Sequence, residues 1–324
     1  MSGPADPIIL LDVGSTNARG WLVAGGRVLD RRTLAAGVRD TATSGSNAAV
    51  RDAVAQLIDA LSAGGPPSMV AAAGMITSAQ GLREVPHVLA PASAADLAAA
   101  TVLHHDPALG PLPIVLVPGV KTAGRASELS ADVMRGEEVL ALGLLAQGEL
   151  KAGESLLNSG SHWKLIETDG TARIVGSRTS LGGELMHAVQ SQTLLRASLP
   201  SGPLAGIDAD WLDAGARAST GHGLLRALFG IRLLDQLGEA TGAQRLSWLA
   251  GACISEDVRG LEHTHPRTAR AVVVTGAAEM PQAWCHLLNG AGWQARRLPS
   301  EATESAFIAG LLAVIAALPD GGGE

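Results

Sequence analysis

The stretch with the clearest chemical potential lies at residues 8–19. An apolar run leads into Asp12, and small or hydroxyl-bearing residues follow it, namely Gly14, Ser15, Thr16 and Asn17. Such a run predicts a buried strand, and the small residues predict the turn after it. Glycine lets the backbone approach an anion, hydroxyl and amide groups donate to it, and a carboxylate can hold Mg²⁺ through water. The stretch therefore predicts a phosphate loop with Asp12 at a metal ion. An ordinary hairpin is the alternative.

Two further loops have the same character. The second contains Gly160, Ser161, His162 and Lys164, and the third contains Gly276 and Ala277. Each follows a predicted strand, and the third opens a helix whose N-terminus favours anions. Three such loops in this order indicate an ATP-dependent phosphotransferase. The first two loops would close on the nucleotide phosphates from opposite sides, with the third near the ribose or the phosphates.

Apolar periodicity and turn residues predict the elements that must position these loops. In the first half we expect strands at 8–12, 20–24, 27–32, 69–73 and 113–117, and helices at 47–62, 93–103 and from about 135 to 146. In the second half we expect strands at 155–158, 163–168, 171–176 and 272–274. Helices are expected through 183–261, at 278–289 and at 302–317.

The order of elements repeats, because each half opens with a strand, a small-residue turn and a hairpin. We therefore expect an α/β fold of two lobes, each a mixed sheet flanked by helices, at residues 1–152 and 153–324. The last helix is expected to pack back at the hinge. Because ligands of such sheets bind beyond the carboxyl ends of strands, the site is expected in the interlobe cleft.

Composition limits the class of protein. The 324 residues are 47% hydrophobic and 17% charged, which is typical of a packed globular chain. The net charge is −7 without a basic run, which disfavours nucleic-acid binding. Cys253 and Cys285 lack metal-ligand spacing and are expected to stay reduced. Residues 1–7 lack signal-peptide character, and 307–318 is too short to span a bilayer, so no membrane association and a cytoplasmic location are expected. A homodimer is the default assembly.

Five segments resemble the 2-dehydro-3-deoxygalactonokinase family of the sugar-kinase, actin and Hsp70 superfamily. They are Asp12–Arg19, Gly74–Ser78, Gly81–His87, Asp132–Glu138 and Gly160–Lys164. The strings Arg-Glu-Val-Pro and Asp-Val-Met-Arg-Gly-Glu-Glu are the specific ones. Ser15 stands where relatives often have threonine, and Trp163 stands where a small hydroxyl residue is expected.

The resemblance implies a ribonuclease H-like, actin-like ATPase fold. It also implies transfer of the ATP γ-phosphate, with Mg²⁺, to the 6-hydroxyl of 2-dehydro-3-deoxy-D-galactonate in galactonate catabolism. Two alternatives stay open at this point. One is a kinase for another sugar acid, such as 2-dehydro-3-deoxygluconate, and the other is a catalytically idle nucleotide or sugar-acid sensor.

The chemistry needs a base for the sugar hydroxyl and donors for the transferred charge. Asp132 is the first candidate for the base, because it is expected at a loop-to-helix junction where an acid could face the cleft. Glu138 and Glu137 are in reserve. Helix capping is the alternative role for all three acids. Candidates for the sugar acid and its carboxylate are Arg19, Arg83, Glu84 and Arg135, and ordinary ion pairs are the alternative for the arginines.

Lys164 is expected to neutralise phosphate or to be a solvated hairpin lysine. Thr179–Glu184 borders a ligand or simply starts a helix. The histidine pairs His104–His105 and His263–His265 are expected to face solvent and to hold no metal.

Overall fold

The computed structural model describes residues 6–38, 45–264 and 271–319. The contacts divide the chain into two compact units. One comprises Met1–Glu149, Ala172–Ser177 and Glu304–Glu324, and the other comprises Leu150–Thr171 and Arg178–Thr303. The expected lobe boundary at 152/153 and the interlobe position of the site stay predictions. The side chain of His263 and all of His265 lie outside the described residues.

Strands and helices follow one another along both units. The strands are β1 Ile8–Val13, β2 Ala18–Ala24, β3 Arg27–Leu34, β4 Met69–Gly74, β5 Val88–Leu89, β6 Val102–His104, β7 Ile114–Leu116, β8 Val120–Lys121, β9 Val133–Met134, β10 Ser155–Ser159, β11 Trp163–Thr168, β12 Ile174–Ser180, β13 Ala271–Gly276 and β14 Gln294–Arg297. The helices are α1 Ala48–Ser62, α2 Ala94–Ala99, α3 Glu137–Gln147, α4 Gly182–Gln192, α5 Ala209–His222, α6 Leu224–Gln236, α7 Gly242–Thr264, α8 Met280–Gly290 and α9 Ser300–Ala316.

The sheet of the first unit has six strands in the order β3-β2-β1-β4-β7-β6. β1 lies in its interior, antiparallel to β2 and parallel to β4, which explains why β1 is apolar on both faces. Gly25 and Gly26 both have positive φ and close the β2–β3 hairpin, as predicted. α1 buries Val50, Val54 and Leu57 along one face against this core, also as predicted.

The helix predicted over 93–103 is wrong in its second half. The helix α2 begins at the predicted place, where Ser93 and Asp96 form a capping box, but it ends at Ala99. Residues 102–104 form the edge strand β6 because they pair antiparallel with β7. Long-range pairing overrides the local helical pattern here.

A small three-stranded sheet, β5-β8-β9, completes the first unit. Arg135 and Gly136 follow β9, and α3 begins at the next residue. α3 packs very closely on α9, because a Cβ placed on Gly143 would lie 1.7 Å from the carbonyl oxygen of Ala306. The small sheet and this helix pair fix the position of the first turn of α3.

The five-stranded sheet repeats the order of the first five strands of the six-stranded sheet. It runs β12-β11-β10-β13-β14, with β10 antiparallel to β11 and parallel to β13, and its strands β10, β11, β13 and β14 belong to the second unit. Helices pack on the sheet around a core that contains Trp163, Ile254 and Trp284. Strand β14 was not predicted, because Gln294–Arg297 has no apolar alternation and owes its strand form to pairing with β13. Strand β12 also lies later than the predicted 171–176.

No helix among the described residues is long and apolar enough to cross a membrane.

Candidate active site

Asp12 lies at the carboxyl end of β1 and is largely buried. Arg19 is its register partner on β2, and the Arg19 Nη2 atom lies 2.7 Å from the Asp12 Oδ2 atom. Burial raises the pKa of Asp12, and the positive charge of Arg19 opposes that rise. The hairpin register thus places a carboxylate and a guanidinium together at the first loop.

The loop after Asp12 is a tight turn. The Gly14 amide donates to the Asn17 carbonyl at 2.8 Å, and Thr16 and Asn17 are exposed. Gly37 packs on the backbone of this turn, where a Cβ would lie 2.5 Å from the Ser15 carbonyl oxygen. The sequence analysis did not predict this contact of Gly37, because no local motif around residue 37 indicates it.

Gly74 and Gly136 bring a second acid to Asp12. Gly74 ends β4, has φ +89°, and a Cβ there would lie 3.2 Å from the Asp12 Oδ1 atom. A Cβ on Gly136 would lie 3.4 Å from the Gly74 Cα atom, so the start of α3 reaches this point. The negative charge of Glu137, the first residue of α3, contributes to the raised pKa of Asp12.

Glu138 is fully buried in the first turn of α3, and its side chain folds back to cap the N-terminus of this helix. Its Oε1 and Oε2 atoms accept from the Gly136 amide at 2.7 and 2.9 Å. This is the capping role that the sequence left open for the acids of this helix. Glu137 is more accessible, and its Oε2 atom accepts from the Arg135 amide at 3.2 Å.

Asp132 lies just before β9 rather than at the helix itself. Its Oδ2 atom accepts from the Ser177 hydroxyl at 2.7 Å, and its amide donates to Thr122 Oγ1 at 2.6 Å. The expectation of a loop-to-helix junction is therefore corrected, since the short strand β9 intervenes. Asp132 is half-buried, three residues before Arg135.

Arg135 reaches back across the unit. It donates to Thr77 Oγ1 at 2.8 Å and to the Val85 carbonyl at 2.9 Å, and its Nη2 atom lies 3.4 Å from His87 Nδ1. Burial lowers the pKa of Arg135, and the charges of Glu138 and Glu84 oppose that shift. Arg135 is therefore fixed by its hydrogen bonds to Thr77 and Val85, whereas Glu84 is exposed.

Arg83 is exposed and lies beside β6, the edge strand of the six-stranded sheet. Its Nη1 atom lies 3.4 Å from the Leu103 carbonyl on β6, close to His104. His104 is half-buried rather than solvent-facing, its Nε2 atom has no hydrogen-bond partner, and burial lowers its pKa. His105 is exposed, as expected.

The second unit holds the other two loops at the ends of β10 and β13. Asn158 is the register partner of Lys164 on β11 and of Thr275 on β13. The Thr275 hydroxyl lies 3.3 Å from Asn158 Oδ1, and the Ser159 hydroxyl donates to the Thr275 carbonyl at 2.8 Å. These bonds join the second loop to the third loop.

Lys164 is only 4% exposed, so the alternative of a solvated hairpin lysine is wrong. His162 is half-exposed, with its Nε2 atom 3.5 Å from Glu184 Oε1. Gly276 has φ +151°, and a Cβ there would lie 2.1 Å from Ser159 Oγ, so Gly276 and the following Ala277 leave β13 close to the second loop.

Trp163 belongs to the core of the second unit. Its ring meets that of Trp284 edge-on at 5.0 Å, and a Cβ on Gly182 would lie 2.1 Å from its Cε3 atom. Its side chain therefore supports the loop from beneath, which explains the departure from a small hydroxyl residue.

Within the described part of the chain, no group of three or more His, Cys, Asp or Glu side chains could hold a metal ion. Any divalent ion here would depend on one or two carboxylates and the ligand's own oxygens, as Mg²⁺ does in phosphoryl-transfer sites. Both cysteines are free and buried, and burial raises the pKa of Cys253 to about 12 and that of Cys285 to about 11. They are therefore unreactive thiols.

Two sheets of matching strand order, with small-residue loops at the strand ends, define the actin-like ATPase and sugar-kinase fold, as predicted. A Clostridium difficile activator of 2-hydroxyisocaproyl-CoA dehydratase, solved with bound ADPNP, shares this fold at TM-score 0.53, with 11% identity over 96% of this chain and 95% of that one.

The chain belongs to the 2-keto-3-deoxy-galactonokinase family, whose sequence profile matches residues 12–314. It is 29% identical to the 2-dehydro-3-deoxygalactonokinase of Escherichia coli K12 over 265 residues, which is 80% of this chain and 83% of that protein. It is also similar to a Sinorhizobium meliloti protein provisionally named 2-dehydro-3-deoxygalactonokinase, with TM-score 0.78 and 21% identity over 98% of each chain.

Proposed function

We propose that this protein is an ATP-dependent kinase of 2-dehydro-3-deoxy-D-galactonate. The products are 6-phospho-2-dehydro-3-deoxy-D-galactonate and ADP, as a step in galactonate catabolism. Membership of the family across residues 12–314 supports the reaction. The observation that carries it is the close approach of Asp12, Gly74 and Gly136, which brings the start of α3, where Glu137 lies, to the first loop.

The first loop binds phosphate in this proposal. Gly14 closes the turn, and the amides of Ser15, Thr16 and Asn17 with the hydroxyls of Ser15 and Thr16 would donate to phosphate oxygens. The carboxylates of Asp12 and Glu137 fit Mg²⁺, because this ion is usually bound by one or two carboxylates together with phosphate oxygens. When bound, Mg²⁺ would neutralise phosphate charge, with Asp12 holding it through water.

The second and third loops bind the rest of the nucleotide. Gly160, Ser161 and His162 would donate to phosphate, and Lys164 would offset its charge from a buried position. Gly276 and Ala277 would lie near the ribose or the phosphates, because they start the segment that leads into α8.

The sugar acid would bind beside α3. Arg135 is the favoured partner for its carboxylate, since Arg135 is half-buried and already held by Thr77 and Val85. Arg83 and Arg19 are the other candidates, and Glu84 would accept from a sugar hydroxyl.

Asp132 is proposed as the base. It would take the proton of the 6-hydroxyl as that oxygen attacks the γ-phosphorus and the bond to the β-phosphate oxygen breaks. Glu137 is the alternative base. Glu138 is the weaker one, because both of its oxygens already accept from Gly136.

A coupled ADP-release assay tests the function. Mg·ATP is supplied with 2-dehydro-3-deoxygalactonate in one reaction and with 2-dehydro-3-deoxygluconate in another. We expect a higher kcat/KM for the galactonate compound. Preference for the gluconate compound would overturn the substrate, and ATP binding without turnover of either acid would favour a sensor.

We infer a cytoplasmic location and a homodimer as the setting of this activity. Fractionation of the native cells tests the first, and light scattering of the purified protein tests the second. A single mass near 32.9 kDa would contradict the dimer.

A further inference from the structure

The second phosphate loop rests on the first turn of α4. The Glu184 amide donates to the Ser161 carbonyl at 2.9 Å. A Cβ on Gly183 would lie 2.4 Å from the Gly160 carbonyl oxygen and 2.6 Å from that of Ser161. The backbone of the loop and the start of this helix are therefore in direct contact, and a shift of one displaces the other.

The start of α4 is itself tied to α7. Ser180 ends β12, two residues before the helix, and its hydroxyl donates to Asp257 Oδ2 on α7. The same hydroxyl oxygen lies 3.4 Å from the Gly182 amide, one of the orphan donors of the helix N-terminus. A second link lies beside it, since Arg178 Nη1 donates to the Gly260 carbonyl at 3.0 Å.

Asp257 is held in a partly apolar setting. It lines a small cavity with Ser180, Trp163 and Trp284. Burial raises the pKa of its carboxyl, while the Ser180 hydroxyl and the charge of Arg178 lower it.

We propose that Ser180 and Asp257 are positioning residues for ATP, which act through α4 on the backbone of the second phosphate loop. This inference rests on the proposed function, since it takes that loop to bind the phosphates. Neither side chain needs to touch the nucleotide. Loss of their bond would let the first turn of α4 shift and misplace the Gly160 and Ser161 amides relative to the phosphates.

The chain offers a matched control in a second hydroxyl–carboxylate bond to the same helix. The Ser219 hydroxyl on α5 donates to Glu256 Oε1 at 2.6 Å, one residue before Asp257. This bond joins α5 to α7 and does not reach α4. Ser219→Ala therefore removes the same kind of bond without touching the support of the loop.

The test compares Ser180→Ala, Ser180→Thr, Asp257→Ala and Ser219→Ala in the full-length protein. The measurements are the Kd of Mg·ADPNP by calorimetry, the KM values of ATP and of the sugar acid, and the urea unfolding midpoint. We expect Ser180→Ala and Asp257→Ala to raise the ADPNP Kd and the ATP KM by about fivefold or more, with the sugar-acid KM within about twofold. Ser180→Thr should restore most of the affinity, and Ser219→Ala should lower only the unfolding midpoint.

Equal losses of stability in Ser180→Ala and Ser219→Ala, with the ADPNP Kd unchanged in both, would overturn the proposal and leave a purely structural bond. A parallel rise of the sugar-acid KM would overturn it as well. If the parent protein binds ADPNP but phosphorylates no sugar acid, the proposed function fails, and the ADPNP Kd values alone still decide the role of Ser180. If the parent protein does not bind ADPNP, both proposals fail.

Discussion

Asp12 on β1 and Asn158 on β10 occupy the same position in two sheets of matching strand order. Asp12 faces Arg19 across the antiparallel hairpin, and Asn158 faces Lys164 in the same way. Each also pairs in parallel with the penultimate residue of the next strand of its sheet. The acid of the first hairpin is thus replaced by a neutral amide in the second, so that Lys164 faces an amide rather than a carboxylate across its hairpin.

Asn158→Asp should weaken nucleotide binding. A carboxylate at this position would repel the phosphates and offset the charge of Lys164, so we expect the ADPNP Kd to rise by about tenfold or more. Asn158→Ser, which adds no charge, is the control and should raise it less. Titration calorimetry with Mg·ADPNP measures both, and equal Kd values in the two variants would contradict the charge argument.

Asp132→Asn should slow the chemical step. Removal of a general base should lower kcat by about a hundredfold or more. The affinity for ATP should change by only a few-fold, because Asp132 lies just before β9 and outside the three phosphate loops. Glu137→Gln is the comparison. Because Glu137 would hold Mg²⁺ together with Asp12, this variant should bind Mg²⁺ more weakly and need a higher Mg²⁺ concentration for half-maximal activity. A normal kcat in Asp132→Asn would contradict its role as the base, and a kcat loss in Glu137→Gln that saturating Mg²⁺ does not restore would then assign the base to Glu137.

Arg135→Ala and Arg83→Ala should differ. Arg135 is half-buried and held by two hydrogen bonds, whereas Arg83 is exposed beside the edge strand β6. We expect Arg135→Ala to raise the sugar-acid KM by about tenfold or more, and Arg83→Ala to raise it less. The ATP KM serves as the internal control. A larger effect of Arg83→Ala on the sugar-acid KM would move the carboxylate site to β6.

Gly143→Ala should destabilise the first unit. An added Cβ would lie 1.7 Å from the Ala306 carbonyl oxygen, so α3 and α9 must separate, at a cost of about 1–3 kcal/mol in the free energy of unfolding. Gly290→Ala is the matched control, because nothing lies within 4 Å of its added Cβ. Urea unfolding compares the two, and equal stabilities would show that the helices tolerate the methyl group.

Asp257→Asn should change how stability depends on pH. The pKa of Asp257 is raised above its ordinary value of 3.8. Between these two pKa values, the folded protein keeps a proton on Asp257 that the unfolded chain has already lost. The stability of the parent protein therefore falls as the pH rises from the ordinary value through the raised pKa. An amide side chain does not titrate, so the stability of the variant relative to the parent should increase over this window. Urea unfolding from about pH 4 to about pH 7 measures this, and a constant difference would contradict it.

Local pattern was enough to predict most strands of the two large sheets and the small-residue turns that follow β1, β10 and β13. The apolar run before Asp12, the Gly25–Gly26 turn and the one-sided face of α1 are short-range signals, and each of these features lies where it was expected. The failures are informative in the same terms. β6 and β14 form because a neighbouring strand supplies hydrogen bonds, and the local pattern of their own residues does not encode that neighbour.

What the sequence determined by itself is the class of chemistry and the family. The loop residues and the Asp132–Glu138 string carry that information because they are contiguous. What only the tertiary structure decided is which groups meet, such as the Arg135 guanidinium with the Val85 carbonyl and the Ser180 hydroxyl with the Asp257 carboxylate. These partners are far apart in the chain, and their contacts depend on strand register and on close approaches at glycines such as Gly74. Such approaches are set by packing and leave no periodic trace in the sequence.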